Sequence, residues 1–325
     1  MSRSLEDCAR IALACMDLTS LGERDSALTV GSLIARSRSP VGAPAALCVW
    51  PRYVSQVRGG LRALHGASAS AASASGVAAK VSQTHSPKVA AVANFPSGQQ
   101  ALQTVLDEVR GIVADGGDEV DLVLDWRAVQ GGDALAVERA AATVRAVRQA
   151  CRGAALKLII ESGELQDPAA IHLASRIGLH EGVDFLKTST GKTATGATPQ
   201  AARVMLEAIA AHPRGARVGF KASGGVRTVS DARVYIDLVH EILGPAALAP
   251  QRFRIGASAL LDDVERVLSQ ASACGGEGGA MASLVGTGGS THKGKTVQDA
   301  DGGPADGGSH GGYDGGGDGG GGGGE

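Results

Sequence analysis

The sequence predicts an α/β protein folded as a closed TIM (β/α)8 barrel, with a disordered glycine-rich tail after it. Three observations lead there. Eight short apolar runs are bounded by turn residues, amphipathic helical patterns separate most of them, and aromatic residues make up only 3% of the chain. A core with so few rings must rest on Val, Leu, Ile and Ala, as parallel sheets flanked by helices do.

Taken in order, the strands are expected at 15–19, 46–50, 89–95, 119–124, 156–161, 184–188, 217–221 and 253–256. Each is a run of four to seven residues in which β-branched or aliphatic side chains dominate. Helical patterns fill 100–115, 135–150, 168–177, 199–211, 229–243 and 261–270. Thr198-Pro199 places proline in a first helical turn, and Ser230-Asp231 supplies acid near a helix start. Eight βα units in about 260 residues suit a closed barrel better than an open sheet.

Two stretches break this rhythm. Residues 67–87 are rich in Ala and Ser and read as an enlarged surface loop inserted into a barrel domain spanning 1–273. From 274 to 325 the chain is mostly glycine and polar residues, with too little apolar surface to fold, so a disordered tail is expected.

Charge and composition remove several classes of function. A net charge of −2 leaves no basic footprint for nucleic acid. The five cysteines, Cys8, Cys15, Cys48, Cys151 and Cys274, are odd in number and contain no C-x-x-C pair. That argues against a disulfide framework or a cysteine zinc site and suits a reducing compartment. The histidines do not fall at metal-ligand spacing, so neither metal nor cofactor is expected. Acidic residues near the N-terminus and the lack of a long apolar run argue for a cytoplasmic protein with no membrane association. Gly289-Ser-Thr-His-Lys-Gly-Lys-Thr296 matches a P-loop expression, but its flanks offer neither the strand nor the helix that phosphate cradling requires.

Two lysines carry the chemistry. Lys187, in Asp184-Phe-Leu-Lys-Thr-Ser-Thr-Gly-Lys192, and Lys221, in Val218-Gly-Phe-Lys-Ala-Ser-Gly-Gly225, end consecutive apolar strands. Adjacent strands lie about 4.8 Å apart, so both amines can enter one pocket. An amine becomes a nucleophile only when uncharged. Bringing a lysine from about 10.4 to ~7 takes about 4–5 kcal/mol, which burial and a nearby second cation can supply. Asp121 is a carboxylate inside an apolar strand two βα units earlier, placed to shuttle protons if it points inward. Its alternative role is to pair with a core lysine. Ser223-Gly-Gly-Val-Arg-Thr228 and Gly256-Ala-Ser258 follow the seventh and eighth strands, where barrels commonly build an anion site from glycine-freed amides and helix N-termini.

Together with Met16-Asp-Leu-Thr19, Val49-Trp-Pro-Arg52, Asp118-Glu-Val-Asp121 and Lys157-Leu-Ile-Ile-Glu-Ser-Gly-Glu-Leu165, these motifs closely resemble the deoxyribose-phosphate aldolase family, in order from about residue 5 to 270. The resemblance implies a metal-independent, class I aldolase that reversibly cleaves 2-deoxy-D-ribose 5-phosphate to glyceraldehyde 3-phosphate and acetaldehyde, in deoxyribose phosphate catabolism. It implies Lys187 as the Schiff-base lysine, with Lys221 and Asp121 tuning it and relaying protons. Thr190 and Lys192 would lie along the substrate, and Asp17 and Thr19 near its hydroxyls or behind them. Gly191, Gly224, Gly225, Gly256 and Ser258 would face the phosphate. The expected partners are thus a phosphorylated sugar and acetaldehyde, with a homo-oligomer, such as a dimer, as the assembly.

The sequence departs from the family pattern at Asp125-Trp126, where an added carboxylate could reach the rim, and at Ala259, where some members carry a second serine. Tyr313 is the only tail residue that could stand for the terminal tyrosine of some members. Cys48 reads as a small buried residue near the pocket. Two rival functions are a related lysine aldolase acting on unphosphorylated acceptors and a silent barrel kept for binding.

Overall fold

The structure, a computed structural model, describes residues 3–75 and 86–275. Eight parallel strands close into a barrel in sequence order: β1 (Met16–Thr19), β2 (Ala46–Val49), β3 (Lys88–Ala93), β4 (Glu119–Val123), β5 (Ala155–Ile159), β6 (Phe185–Lys187), β7 (Gly219–Ser223) and β8 (Phe253–Ala257). β1 pairs with β8, with Asp17 opposite Gly256, which completes the ring. The expected TIM barrel is therefore the observed fold.

Period-two alternation sorts the strand side chains. Met16, Leu18, Leu47, Val120, Leu122, Leu156, Leu158, Leu186, Phe220 and Ile255 point to the helical layer and form the larger core. The intervening residues point into the barrel. On the β2–β5 side these are small or aliphatic, with Ala46, Cys48, Ala90, Val92, Val123 and Ile159 clustering beneath Phe95 and Leu21. The remaining inward positions are largely charged.

Helix starts follow their caps. Thr198 accepts from the Ala201 amide ahead of Pro199–Ala211, and Thr228 forms a capping box with Asp231 ahead of Val229–Leu243. The chain also forms helices that periodicity alone did not suggest: Leu5–Ala14, which precedes β1, and Ala27–Arg36, where Ser26 and Thr29 form a capping box.

Two departures from the expected boundaries have a visible cause. The seventh strand lies at Gly219–Ser223 rather than 217–221, because Gly215–Arg217 forms a 3-10 turn. The Arg252 guanidinium donates to the carbonyls of Gly215, Ala216 and Val218 and holds that turn off the ladder. The helix after β2, Val54–Ser75, continues into the stretch expected as a loop from 67, since Ala and Ser tolerate helix where nothing breaks it. The rest of that stretch, 76–85, lies outside the described residues, as do the glycine-rich tail from 276, the P-loop-like run and Tyr313. The final helix extends to Gly275.

Candidate active site

β6 and β7 pair so that Lys187 stands directly opposite Lys221. Both are buried, at 3% and 0% exposure. Their amines meet on one atom: Oδ2 of Asp121 accepts from Lys187 Nζ at 2.9 Å and from Lys221 Nζ at 2.7 Å. The other carboxylate oxygen, Oδ1, accepts from Lys157 Nζ at 2.7 Å. Asp121 therefore points inward, as the shuttle reading required, and it also pairs with core lysines.

The ionic cluster extends below. Lys157 Nζ also lies 2.6 Å from Glu119 and 3.3 Å from Asp17, and Lys221 Nζ lies 2.5 Å from Asp17 Oδ2. Arg254 bridges Asp17 at 2.6 Å and Glu119 at 2.7 Å. Removing so many charges from water is costly unless every charge has partners, and here each has at least one.

Charge balance singles out one amine. Among the described residues this lattice holds three carboxylates, Asp17, Glu119 and Asp121, and four cations, Lys157, Lys187, Lys221 and Arg254. Lys157, Lys221 and Arg254 suffice to neutralise the acids, which leaves Lys187 as the surplus. Burial pushes the Lys187 amine below its ordinary range; Asp121 opposes this, and the Lys221 charge reinforces it. Lys221 moves the other way, because Asp121 and Asp17 together outweigh its burial. Burial also works against the Asp121 carboxylate, yet Lys157, Lys187 and Lys221 hold it well below the usual range. Of the two causes expected from the sequence, burial and a nearby second cation, burial has the larger share.

Lys187 is the member of this lattice that reaches the surface of a cavity of about 400 Å³ at the C-terminal end of the barrel. Its walls include Thr19, Ser20, Thr190, Gly191, Lys192, Ser223, Gly224, Gly225, Arg227, Gly256, Ser258 and Ala259. Gly224 has φ +84°, and an added Cβ would lie 2.9 Å from Gly196 Cα, so the turn demands glycine. At Gly256 a Cβ would sit 3.0 Å from Lys221 Cε, in the space that side chain crosses. Two helices, Val229–Leu243 and Leu260–Gly275, begin just after the wall residues Arg227 and Ala259.

The structure therefore brings Lys187, Thr19, Thr190, Lys192, Gly191, Gly224, Gly225, Gly256 and Ser258 together around one cavity. Asp121 and Lys221 lie directly beneath it. Asp17 does not reach the wall: it is fully buried, and its oxygens are taken by Lys157, Lys221 and Arg254. Asp125 is spent as a helix cap, accepting from the Ala128 amide, and is not among the cavity residues. The Cys48 thiol lies 4.0 Å from Asp121 Oδ2, and burial pushes it away from the thiolate form. Sequence reasoning missed Lys157, Glu119 and Arg254, although Lys157 bears the same signal as Lys187, a lysine inside an apolar strand. Arg227, within a run already singled out, also lines the cavity. Among the described residues no group of His, Cys, Asp and Glu is arranged to hold a metal ion.

Fold and site together define a barrel enzyme of the aldolase class, with a buried amine at the base of a glycine-lined cavity. The model for DeoC/LacD family aldolases matches residues 11–265. The chain belongs to that family. A deoxyribose-phosphate aldolase of Agrobacterium fabrum is 40% identical over 264 residues, which is 81% of this chain and 92% of the relative. The barrel also superposes on an apo crystal structure from Toxoplasma gondii, with TM-score 0.69 and 24% identity over 82% of this chain and 97% of the other. A deoxyribose phosphate aldolase of Aeropyrum pernix gives TM-score 0.57 and 24% identity, over 82% and 93% of the two chains.

Proposed function

We propose that this aldolase cleaves 2-deoxy-D-ribose 5-phosphate reversibly to glyceraldehyde 3-phosphate and acetaldehyde through a Schiff base on Lys187. The observation that carries the reading is the surplus amine: of the ionic lattice only Lys187 borders the cavity, its charge is unneeded by the groups beneath, and its pKa is lowered.

In the cleavage direction the uncharged Nζ of Lys187 adds to C1 of the open-chain sugar. The carbinolamine takes up a proton, loses water and leaves an iminium ion. Loss of the C3 hydroxyl proton then breaks the C2–C3 bond, and the electron pair flows into the imine to give an enamine. Glyceraldehyde 3-phosphate departs. A proton returns to C2, and hydrolysis releases acetaldehyde and the free amine. Asp121 Oδ2, in contact with both Lys187 and Lys221, is placed to pass protons at the amine. Lys221 stays charged and disfavours reprotonation of Lys187.

The phosphate belongs on the β7–β8 side. There the glycine turns at 224 and 225, Gly256, Ser258 and the Lys192 and Arg227 side chains offer amide, hydroxyl and cationic donors. The apolar β2–β5 side suits the two-carbon aldehyde. The described cysteines, free and buried, suit work in a reducing cytoplasm, within deoxyribose phosphate catabolism.

The deciding experiment is a coupled assay of glyceraldehyde 3-phosphate release from deoxyribose 5-phosphate, run beside unphosphorylated deoxyribose. Turnover of the phosphorylated sugar is expected to dominate. Equal turnover of both would overturn the phosphate assignment.

A further inference from the structure

Glu161 is neither in the ionic lattice nor on the cavity wall, yet it is fully buried and occupies an unusual backbone conformation, φ +53° and ψ +55°. L side chains disfavour that region, where glycine would sit without strain. Such strain persists only where the surroundings hold it in place, and it concentrates at functional sites.

The reason is visible in what the carboxylate touches. β5 and β6 run in register through Ile159 and Lys187, and the ladder continues past the strands: the Ile160 amide donates to the Lys187 carbonyl, and the Ser162 amide to the Thr188 carbonyl. There the β5 chain turns into the short helix Ser162–Leu165, and no further backbone carbonyl is available to β6. The Glu161 carboxylate replaces it, accepting from the Thr190 amide at 3.1 and 3.3 Å, with the Thr193 hydroxyl at 3.5 Å. Thr190 in turn accepts the Lys192 amide on Oγ1 at 3.1 Å. Two polar groups of the cavity wall thus hang in series from one carboxylate.

We propose that Glu161 is a positioning residue: its carboxylate extends the β5–β6 ladder and fixes the Thr190–Lys192 loop, so that it governs recognition of the acceptor half of the substrate and not formation of the imine on Lys187. The substrate side of this inference rests on the aldolase reading above; the loop-holding side does not.

The test uses the full chain carrying Glu161→Gly or Glu161→Gln. Glycine accepts the observed φ without strain and removes the carboxylate, so the barrel should fold, which thermal melting checks. Losing a charge-assisted hydrogen bond should raise KM for deoxyribose 5-phosphate by about tenfold or more. Borohydride trapping of acetaldehyde on Lys187 should stay within about twofold, because that step needs no acceptor. Glutamine keeps one carbonyl acceptor and should restore KM to within about threefold. Independently of turnover, amide exchange at Thr190 should accelerate by about tenfold in the glycine variant. An unchanged Thr190 exchange rate would overturn the proposal whatever the substrate proves to be. A parallel loss of acetaldehyde trapping would also overturn it, by showing that Glu161 acts on the Lys187 chemistry or on the fold. Should the wild type turn over no deoxyribose 5-phosphate, the aldolase reading fails, while the exchange measurement still decides the role of Glu161.

Discussion

Lys187 and Lys221 face each other across adjacent strands and donate to the same oxygen of Asp121, yet their amines are driven in opposite directions. The difference lies in their other partners. Lys221 has a second carboxylate, Asp17, at 2.5 Å, whereas Lys187 has Asp121 alone and the cavity beside it. One carboxylate shared among three ammonium groups cannot hold all of them charged, and the least supported one gives way.

The first consequence concerns Lys187 itself. Acetaldehyde followed by borohydride should add a two-carbon group at Lys187, read by peptide mass spectrometry. Lys187→Leu should reduce glyceraldehyde 3-phosphate release by at least about a thousandfold. An adduct confined to other lysines would refute the assignment.

Lys221→Leu tests the role of the second cation through pH. Removing that charge raises the Lys187 pKa, so less of the amine is uncharged at neutrality. Imine formation should slow by at least about tenfold at pH 7 and recover partly as pH rises. A uniform loss at every pH would point to proton transfer by Lys221 itself.

Lys157→Met should destabilise the barrel, because Glu119 and Asp121 lose a shared buried partner. The expected loss at pH 7 is about 3–5 kcal/mol in urea unfolding. Asp121 has a depressed folded-state pKa, so its stabilisation is present above the unfolded value near 3.9 and is lost as pH falls. Without Lys157 that depression is smaller, and the gap between variant and wild type should narrow toward acid. A gap independent of pH would mean that packing, not charge, sets the loss.

Ala259 lines the cavity beside Ser258. Ala259→Ser adds a hydroxyl donor there, and KM for deoxyribose 5-phosphate should fall by about three- to tenfold. Deoxyribose without phosphate serves as the control. An equal change for both sugars would place the phosphate elsewhere.

Ending the chain after residue 275 should leave the melting temperature nearly unchanged, since the glycine-rich segment carries little apolar surface to bury. A drop of several degrees on calorimetry would show that the segment contributes to folding.

The sequence by itself determined the barrel, its strand order and the two lysines, because each is written locally. Alternating runs such as Val120-Asp121-Leu122 and Leu186-Lys187 declare which faces are buried, and glycine pairs such as 224–225 declare where a backbone must turn. Sequence neighbours alone could not show how charge is shared around a closed ring. Asp17 and Lys221 are 204 positions apart and lie within 2.5 Å, and Arg254 reaches back to Glu119 across 135. Only barrel closure decided that Asp17 sits beneath the cavity rather than on its wall, that Lys157 takes one oxygen of Asp121, and that Lys187 is the amine left over. Buried charges are settled by long-range partners at low dielectric, and those partners exist only once the chain has folded.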